Sequence, residues 1–189
     1  MSSAEAKEML RSLVRAARRQ GPPADPSALA DQCVAYLEDL DGPLRVTCYS
    51  SYGSEPGTSV LLGRLGDRGY EVLLPRVTDD ELEWAPMGGP TVVSPMGIDE
   101  PAGPAAPLLP LRAMLVPALA AGIDGARLGK GGGYYDRVLD ALPVDQRPAI
   151  AVIVRDEDVL PAGTIPVEPH DRYVDAIITP TRIITCVTD

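Results

Sequence analysis

The spacing of apolar residues predicts two helices at the start of the chain. Between residues 4 and 19 the apolar positions recur every three or four residues and therefore share one helical face: Leu10, Leu13, Val14 and Ala17. Asp25 followed by Pro26 is typical of a helix start, because Asp caps free amides and Pro fits the first turn. We expect this second helix to run to Leu40.

The next segment alternates between strand-like and helix-like patterns. It predicts a strand at residues 44–49, a helix at residues 58–67 and a strand at residues 70–74. Such a unit indicates parallel strands joined by a crossover helix. We expect Pro75 to end the second strand, since proline cannot donate a hydrogen bond to a sheet ladder.

The rest of the chain continues this pattern around one long loop. Residues 95–110 contain five prolines and two glycines, and a loop of that length favours a binding or lid role. The other predicted elements are a hairpin at residues 76–94, a helix at 133–142, and strands at 113–116, 149–154, 176–178 and 182–187. We expect a single α/β domain over residues 1–189, a three-layer sandwich with a mostly parallel central sheet flanked by helices.

Composition excludes several kinds of partner. The net charge is −10, from 17 basic and 27 acidic residues, and this opposes nucleic-acid binding, which depends on neutralising phosphates. No apolar run reaches the roughly 18 residues that a membrane helix needs. Cys33, Cys48 and Cys186 are widely spaced, which favours free thiols in a reducing compartment. We therefore expect a cytoplasmic monomer that binds neither nucleic acid nor membranes.

A glycine-rich segment after the strand at residues 113–116 carries the candidate chemistry. Its glycines allow close approach of the backbone to an anion: Gly129, Gly131, Gly132 and Gly133. Arg127, Lys130 and Arg137 add positive charge, and Asp136 offers the oxygen ligand that Mg²⁺ prefers. The segment follows the carboxyl end of a strand, where open α/β sheets bind ligands. It is not a P-loop, but it predicts a phosphate site.

The same segment resembles the signature of a known enzyme family. Residues 127–137 read Arg-Leu-Gly-Lys-Gly-Gly-Gly-Tyr-Tyr-Asp-Arg and, preceded by Val116-Pro117, are similar to the motif of 5-formyltetrahydrofolate cyclo-ligases. The resemblance spans nearly the whole chain in register. Its other landmarks are Lys7-x-x-Leu10-Arg11, Ser54-Glu55-Pro56-Gly57-Thr58, Leu74-Pro75-Arg76-Val77, Gly97-Ile98-Asp99-Glu100-Pro101, Glu168-Pro169-His170-Asp171, Asp175 and Ile178-Thr179-Pro180.

The resemblance implies an ATP-dependent ring closure on a sugar-isomerase/CoA-transferase-like fold. In that reaction the formyl oxygen of 5-formyltetrahydrofolate attacks the γ-phosphate of Mg-ATP. The nitrogen at position 10 then closes the ring, and 5,10-methenyltetrahydrofolate, ADP and phosphate result. Phosphoryl transfer requires mainly positioning and charge neutralisation, which agrees with a site rich in cations and glycines.

The resemblance also implies roles for individual residues. The residues expected to bind ATP are Lys7, Arg11, Arg127, Leu128, Gly129, Lys130, Gly131, Gly132, Gly133, Tyr134 and Tyr135. The expected catalytic residues are Arg127, Tyr134 and Tyr135. Glu55 and Tyr134 are expected to bind the folate substrate, and Asp136 and Asp171 to bind Mg²⁺.

Three positions depart from the family pattern and motivate an alternative. Ala121 and Gly122 stand where members usually carry Phe and Asp, and Gly57 stands where they carry Asp. We expect these positions on the folate side. The alternative is therefore a catalytically silent or substrate-shifted paralogue that binds nucleotide but has lost the folate pocket. The sequence also leaves open whether Tyr49 and Tyr52 line that pocket or serve only in packing.

Overall fold

The computed structural model describes residues 2–79, 81–95 and 97–186. Its helices are α1 (Ser3–Gln20), α2 (Pro26–Glu38), α3 (Ser59–Asp67) and α4 (Tyr134–Asp140). Ser2 and Glu5 form a capping box at the start of α1, and the Asp25 carboxylate caps α2 as predicted. None of the helices in the described part of the chain has the length and apolar character that a membrane crossing requires.

Twelve strands form three sheets within the described residues. They are β1 (Arg45–Thr47), β2 (Glu71–Thr78), β3 (Glu81–Pro86), β4 (Thr91–Val93), β5 (Asp99–Pro101), β6 (Ala113–Pro117), β7 (Ala120–Gly122), β8 (Arg127–Leu128), β9 (Ala149–Ile153), β10 (Val159–Leu160), β11 (Ala176–Ile178) and β12 (Ile183–Thr185). The main sheet has the order β12-β11-β9-β6-β1-β2-β3, with antiparallel pairs only at its two edges. The mostly parallel sheet is therefore confirmed.

The side chains of the central strands alternate between two cores, one on each face of the main sheet. On β6, Ala113 and Leu115 pack with α2 and α3, whereas Met114 and Val116 pack on the opposite face with α4. This alternation follows from the period of two in a strand, and burial on both faces explains the continuous apolar runs in the sequence. The three-layer sandwich is confirmed.

Two small sheets were missing from the sequence prediction. Strands β7 and β8 pair antiparallel, and β10 adds to β7 in parallel. Val14 of α1 packs against this small sheet together with Leu128 and Ile165. The segment between β6 and the glycines is thus a short hairpin, which the sequence analysis did not predict. The other small sheet pairs β4 with β5, so part of the predicted loop at residues 95–110 is a strand.

The prediction that Pro75 ends its strand is wrong. Strand β2 continues to Thr78 and pairs with β3 along the whole stretch. Its pairing with β1 ends at Leu73, so beyond that point β2 has a partner on one side only. A proline is tolerated there because the missing N–H removes no hydrogen bond from a central ladder. The helix at 133–142 and the strand at 182–187 are shorter than predicted, and Val187 lies outside the described residues.

Candidate active site

The order of the strands places a crevice between β1 and β6. From β1 the chain proceeds to β2 on one side, whereas β6, β9 and β11 follow on the other side. Ligands of open α/β sheets bind outside the carboxyl ends of the strands at such a reversal. Tyr49 follows β1 and Pro117 ends β6, and both line the same cleft.

Two adjoining clefts occupy this edge of the sheet. The first, of about 340 Å³, we call the phosphate cleft, after the ligand predicted from its glycines; α1, residues 127–136, Glu168, His170 and Asp171 line it. The second, of about 220 Å³, we call the folate cleft, after the ligand expected from the family resemblance; residues after β1 line it together with β2, β3 and β5. The residues that line both clefts form a shared wall: Pro117, Lys130, Gly132, Tyr134 and Tyr135. Every site residue predicted from the sequence lines at least one cleft.

Helix α1 closes one side of the phosphate cleft. Arg11 Nε donates to the carbonyl oxygen of Gly129 at 2.9 Å, and Arg15 Nη2 donates to that of Lys130 at 3.3 Å. These bonds hold the glycine-rich loop against the helix. Arg11 and Arg15 of α1 therefore face the loop and not solvent alone.

The glycines give the loop a shape that other residues would not permit. Gly131 and Gly133 have φ of +111° and +67°, which strongly favours glycine. At Gly132, an added Cβ would lie 2.7 Å from the ring of Tyr134. The side chain of Leu128, a residue predicted to bind ATP, is fully buried in the core beside Val14. Only its backbone can contribute to the cleft.

Arg127 is the most buried cation of the phosphate cleft, with its side chain 3% exposed. Its Nη2 donates to Asp136 Oδ1 at 2.6 Å, and its guanidinium carbon lies 5.9 Å from the centre of the Tyr135 ring. Its Nε is buried and has no hydrogen-bond partner among the described residues. A buried donor without a partner is unfavourable, so this atom is suited to an anionic ligand.

Lys7 crosses from α1 to the loop at residues 168–171. Its Nζ donates to Asp171 Oδ2 at 2.5 Å and to Glu168 Oε2 at 3.1 Å. Burial alone would lower the pKa of Lys7, but these two carboxylates outweigh it and raise that pKa. Burial alone would raise the pKa of Asp171, but the hydrogen bonds from Lys7 and from the amide of Glu168, together with the nearby positive charge, outweigh it and lower that pKa. Both groups are therefore charged at neutral pH.

The two residues predicted to bind Mg²⁺ lie on the same side of the phosphate cleft. The backbone amide of Arg172, next to Asp171, is 3.5 Å from Asp136 Oδ1. The described residues contain no group of three or more potential metal ligands. Mg²⁺ is commonly held by one or two carboxylates together with substrate phosphates and water, so this pair of aspartates fits the ion when a nucleotide accompanies it. In the protein alone, each aspartate instead forms an ion pair with a cation of the cleft.

Lys130 and Glu55 were predicted for different ligands, but they form one ion pair. Lys130 Nζ lies 2.6 Å from Glu55 Oε1 and 3.5 Å from the centre of the Tyr52 ring. Glu55 Oε2 accepts a hydrogen bond from the backbone amide of Tyr52 at 2.9 Å. The Glu55 side chain is 4% exposed and that of Lys130 is 34% exposed. The pair therefore connects the shared wall to the floor of the folate cleft.

The surface of the folate cleft is mostly apolar, although the charged residues Arg76, Asp99, Glu100 and Lys130 also line it. Its apolar lining comes from Pro75, Val77, Leu82 and Ile98, and Glu55 supplies a buried carboxylate. Tyr135 stands at its back, with its ring edge-on to Trp84 at a centroid distance of 6.3 Å. Burial raises the pKa of Tyr135 well above its ordinary value, so its hydroxyl stays protonated. Tyr49 and Tyr52 both line this cleft, and Tyr49 also packs in the core with residues of α2 and α3.

The positions that depart from the family pattern lie elsewhere. Ala121 is fully buried in the core, Gly122 belongs to β7, and Gly57 lies next to Pro26. None of the three lines either cleft. The expectation that they lie on the folate side is therefore wrong. At Gly122 an added Cβ would lie 2.3 Å from Asp124 Oδ1. This oxygen accepts a hydrogen bond from the amide of Ala126, and Asp124 Oδ2 accepts one from the amide of Gly163, so the local turn explains the glycine.

Comparison with known proteins gives consistent results. A model of the 5-formyltetrahydrofolate cyclo-ligase family matches residues 3–180. The chain is 35% identical to a 5-formyltetrahydrofolate cyclo-ligase of Mycolicibacterium smegmatis, over 98% of this chain and 99% of that protein. It is 33% identical to a mitochondrial 5-formyltetrahydrofolate cyclo-ligase of Arabidopsis thaliana, over 40% of this chain and 29% of that protein.

Two solved structures share the fold. A 5,10-methenyltetrahydrofolate synthetase of Aquifex aeolicus superposes with a TM-score of 0.76 at 24% identity, covering 97% of this chain and 94% of that one. A 5,10-methenyltetrahydrofolate synthetase of Mycoplasma pneumoniae superposes with a TM-score of 0.68 at 18% identity, covering 94% and 98%. At these identities the likeness concerns the fold.

Proposed function

The chain belongs to the 5-formyltetrahydrofolate cyclo-ligase family, and we propose that its two clefts carry out the ATP-dependent closure of 5-formyltetrahydrofolate to 5,10-methenyltetrahydrofolate. ADP and phosphate are the other products. The observation that carries this proposal is the shared wall. A cation-lined cleft and an apolar cleft with one buried carboxylate meet at Pro117, Lys130, Gly132, Tyr134 and Tyr135. A phosphoryl group held in one cleft can then reach an acceptor held in the other.

The phosphate cleft receives the triphosphate of ATP. Arg127 offers a buried Nε without a partner, and the loop amides around Gly131 and Gly132 offer further donors. Lys7, Arg11 and Lys130 add positive charge in a protein whose net charge is −10. Local charge is needed because the overall field repels anions. Neutralisation and alignment are the main demands of phosphoryl transfer.

The folate cleft receives the pterin end of the substrate. Its apolar walls suit a flat ring system, and the Glu55 carboxylate can accept hydrogen bonds from ring N–H groups. Tyr134 and Tyr135 stand between the two ligands, where they can exclude water and orient the formyl group. Water must be excluded because it would otherwise hydrolyse the phosphorylated intermediate.

The reaction has two steps. The formyl oxygen attacks the γ-phosphorus as the bond to the β,γ-bridging oxygen breaks, and ADP leaves with that electron pair. N10 then attacks the formyl carbon, the carbon–oxygen bond breaks to release phosphate, and the N10 proton passes to solvent. Arg127 and Lys130 stabilise the charge on the transferred group in both steps, because they lie at or next to the shared wall.

Asp136 and Asp171 would hold Mg²⁺ in this cleft. When bound with ATP, the ion neutralises phosphate charge and orients the leaving group. The aspartates also fix Arg127 and Lys7 through their ion pairs, so they position cations that contact the nucleotide.

Nothing in the geometry favours the silent or substrate-shifted paralogue over the active enzyme. The substitutions that motivated it, at Ala121, Gly122 and Gly57, line neither cleft. Glu55 and the tyrosines of the shared wall are present. We further propose that the enzyme acts as a cytoplasmic monomer, since a single chain supplies every residue given a role above. Gel filtration with light scattering would test the oligomeric state.

The test is the methenyl absorbance band that appears when protein, 5-formyltetrahydrofolate and Mg-ATP are mixed. We expect a rise that requires ATP, and we expect Asp136→Asn to reduce its rate about 100-fold or more, because it removes a charge that positions Arg127 and binds metal. Asp140→Asn, in the same helix but outside both clefts, is the matched control and should turn over normally. No absorbance rise from a protein that still binds ATP would contradict the proposal.

A further inference from the structure

The hydroxyl of Tyr49 is a buried polar group without a partner. Tyr49 is 4% exposed, and its hydroxyl makes no hydrogen bond to any described residue. Among the described residues, four buried side-chain atoms share this property: Ser3 Oγ, Thr47 Oγ1, Tyr49 Oη and Arg127 Nε. Of these residues, Arg127 lines the phosphate cleft and Tyr49 lines the folate cleft. Buried polar groups are nearly always hydrogen-bonded, so an unpartnered one in a cleft calls for a ligand.

The backbone around Tyr49 is held firmly in place. Its carbonyl oxygen accepts a hydrogen bond from Thr58 Oγ1 at 2.6 Å. Thr58 and Ser51 also exchange hydrogen bonds between side chain and backbone, each at 3.0 Å. The tyrosine therefore follows the end of β1 on a segment that is fixed from both sides. A group fixed before its ligand arrives binds that ligand with less loss of conformational freedom.

The hydroxyl keeps its proton and is available as a donor. Burial raises the pKa of Tyr49 well above its ordinary value, and the negative charge of Glu55 raises it further. Tyr49 and Glu55 both line the folate cleft. Glu55 can only accept hydrogen bonds, whereas Tyr49 can donate one.

We propose that the Tyr49 hydroxyl donates a hydrogen bond to the ring carbonyl of the pterin and thereby contributes to substrate specificity. The edge of a pterin presents N–H donors, at N3 and at the 2-amino group, directly beside the oxygen at position 4. A carboxylate acceptor and a hydroxyl donor in the same cleft complement that edge. This inference rests on the proposed function, because it takes the ligand of the folate cleft to be a reduced folate.

The test is Tyr49→Phe, which removes the hydroxyl and keeps the ring. We expect calorimetric titration to show about tenfold weaker binding of 5-formyltetrahydrofolate, the loss typical of a hydrogen bond whose partner is left unpaired. Binding of ATP should stay within twofold. The melting temperature of the free protein should stay the same or rise, because the variant loses a polar atom that had no partner.

Tyr70→Phe is the matched control with the opposite expectation. Tyr70 is also buried, but its hydroxyl accepts a hydrogen bond from Arg112 Nη1 at 3.2 Å, and it lines neither cleft. This variant should melt at a lower temperature and bind the folate normally.

Two results overturn the proposal. One is folate binding by Tyr49→Phe within twofold of the wild type. The other is a Tyr49→Phe protein that is destabilised or does not fold, because its hydroxyl would then have a structural partner. If the wild type binds 5-formyltetrahydrofolate but does not cyclise it, the proposed function is refuted. The Tyr49 contact is still tested in that case, because the titration measures binding and not turnover.

Discussion

Removing the charge of Lys130 should destabilise the protein, although the residue lies at the edge of a cleft. The proposed change is Lys130→Met, which keeps the length and apolar stem of the side chain. It leaves the Glu55 carboxylate 4% exposed and without its cation. An uncompensated buried charge is unfavourable, because the interior solvates it poorly.

The structure limits the size of the effect. Breaking a fully buried ion pair typically costs about 3–5 kcal/mol, whereas an exposed pair contributes roughly 0.2–1 kcal/mol. Lys130 is 34% exposed and its carboxylate partner is nearly fully buried, so the pair lies between these limits. We expect a loss of about 2 kcal/mol, which for a chain of this size corresponds to a fall in melting temperature of about 4–8 °C.

Thermal unfolding of four proteins measures the pair itself. The wild type, Lys130→Met, Glu55→Gln and the double variant form a cycle whose interaction energy should be about 1–2 kcal/mol. Arg68→Met is the control, because Arg68 pairs with Glu38 on the surface, where both side chains are well exposed. If Lys130→Met melts no lower than Arg68→Met, and the two single changes add in the double variant, then the ion pair does not stabilise the fold and the reasoning fails.

Two further predictions concern the phosphate cleft. Gly132→Val should weaken ATP binding at least tenfold in a calorimetric titration, because a Cβ there would lie 2.7 Å from the Tyr134 ring and displace the shared wall; unchanged affinity would refute this account of the loop. The ion pair of Lys7 and Asp171 should make the protein less stable in acid, because folding lowers the pKa of Asp171. A carboxylate with a lowered folded-state pKa contributes its full stabilisation above its unfolded-state pKa. It loses that contribution as the pH falls through the folded-state pKa. The free energy of unfolding, measured with denaturant between about pH 6 and pH 3, should therefore fall more steeply for the wild type than for Lys7→Met. Parallel curves for the two proteins would contradict the stabilising role of the ion pair.

The layer structure could be predicted because it depends on local patterns. The long apolar runs of β6 and β9 indicate strands buried on both faces, and Asp25 with Pro26 marks the start of α2. The small sheet could not be predicted, because β8 and β10 have two residues each and pair with β7 across the sequence. Two residues do not define a period.

The candidate site was predictable only in part, for a similar reason. The glycine-rich motif is contiguous, so its residues could be assigned to one cleft from the sequence. The pairing of Lys130 with Glu55 joins residues far apart in the chain, and no local pattern indicates it. The unpartnered hydroxyl of Tyr49 is likewise a property of the folded environment and not of the residue type.

The contact between Lys7 and the loop at residues 168–171 has a consequence for how the protein becomes functional during synthesis. The phosphate cleft takes one wall from the first helix and another from a loop more than 160 residues later, joined by a hydrogen bond that spans 164 positions. A ribosome-bound chain that ends before Glu168 contains the residues of β1, β6 and the glycine-rich loop, but it lacks both carboxylates that hold Lys7. Nucleotide affinity should therefore arise late in translation, so that incomplete chains do not bind ATP.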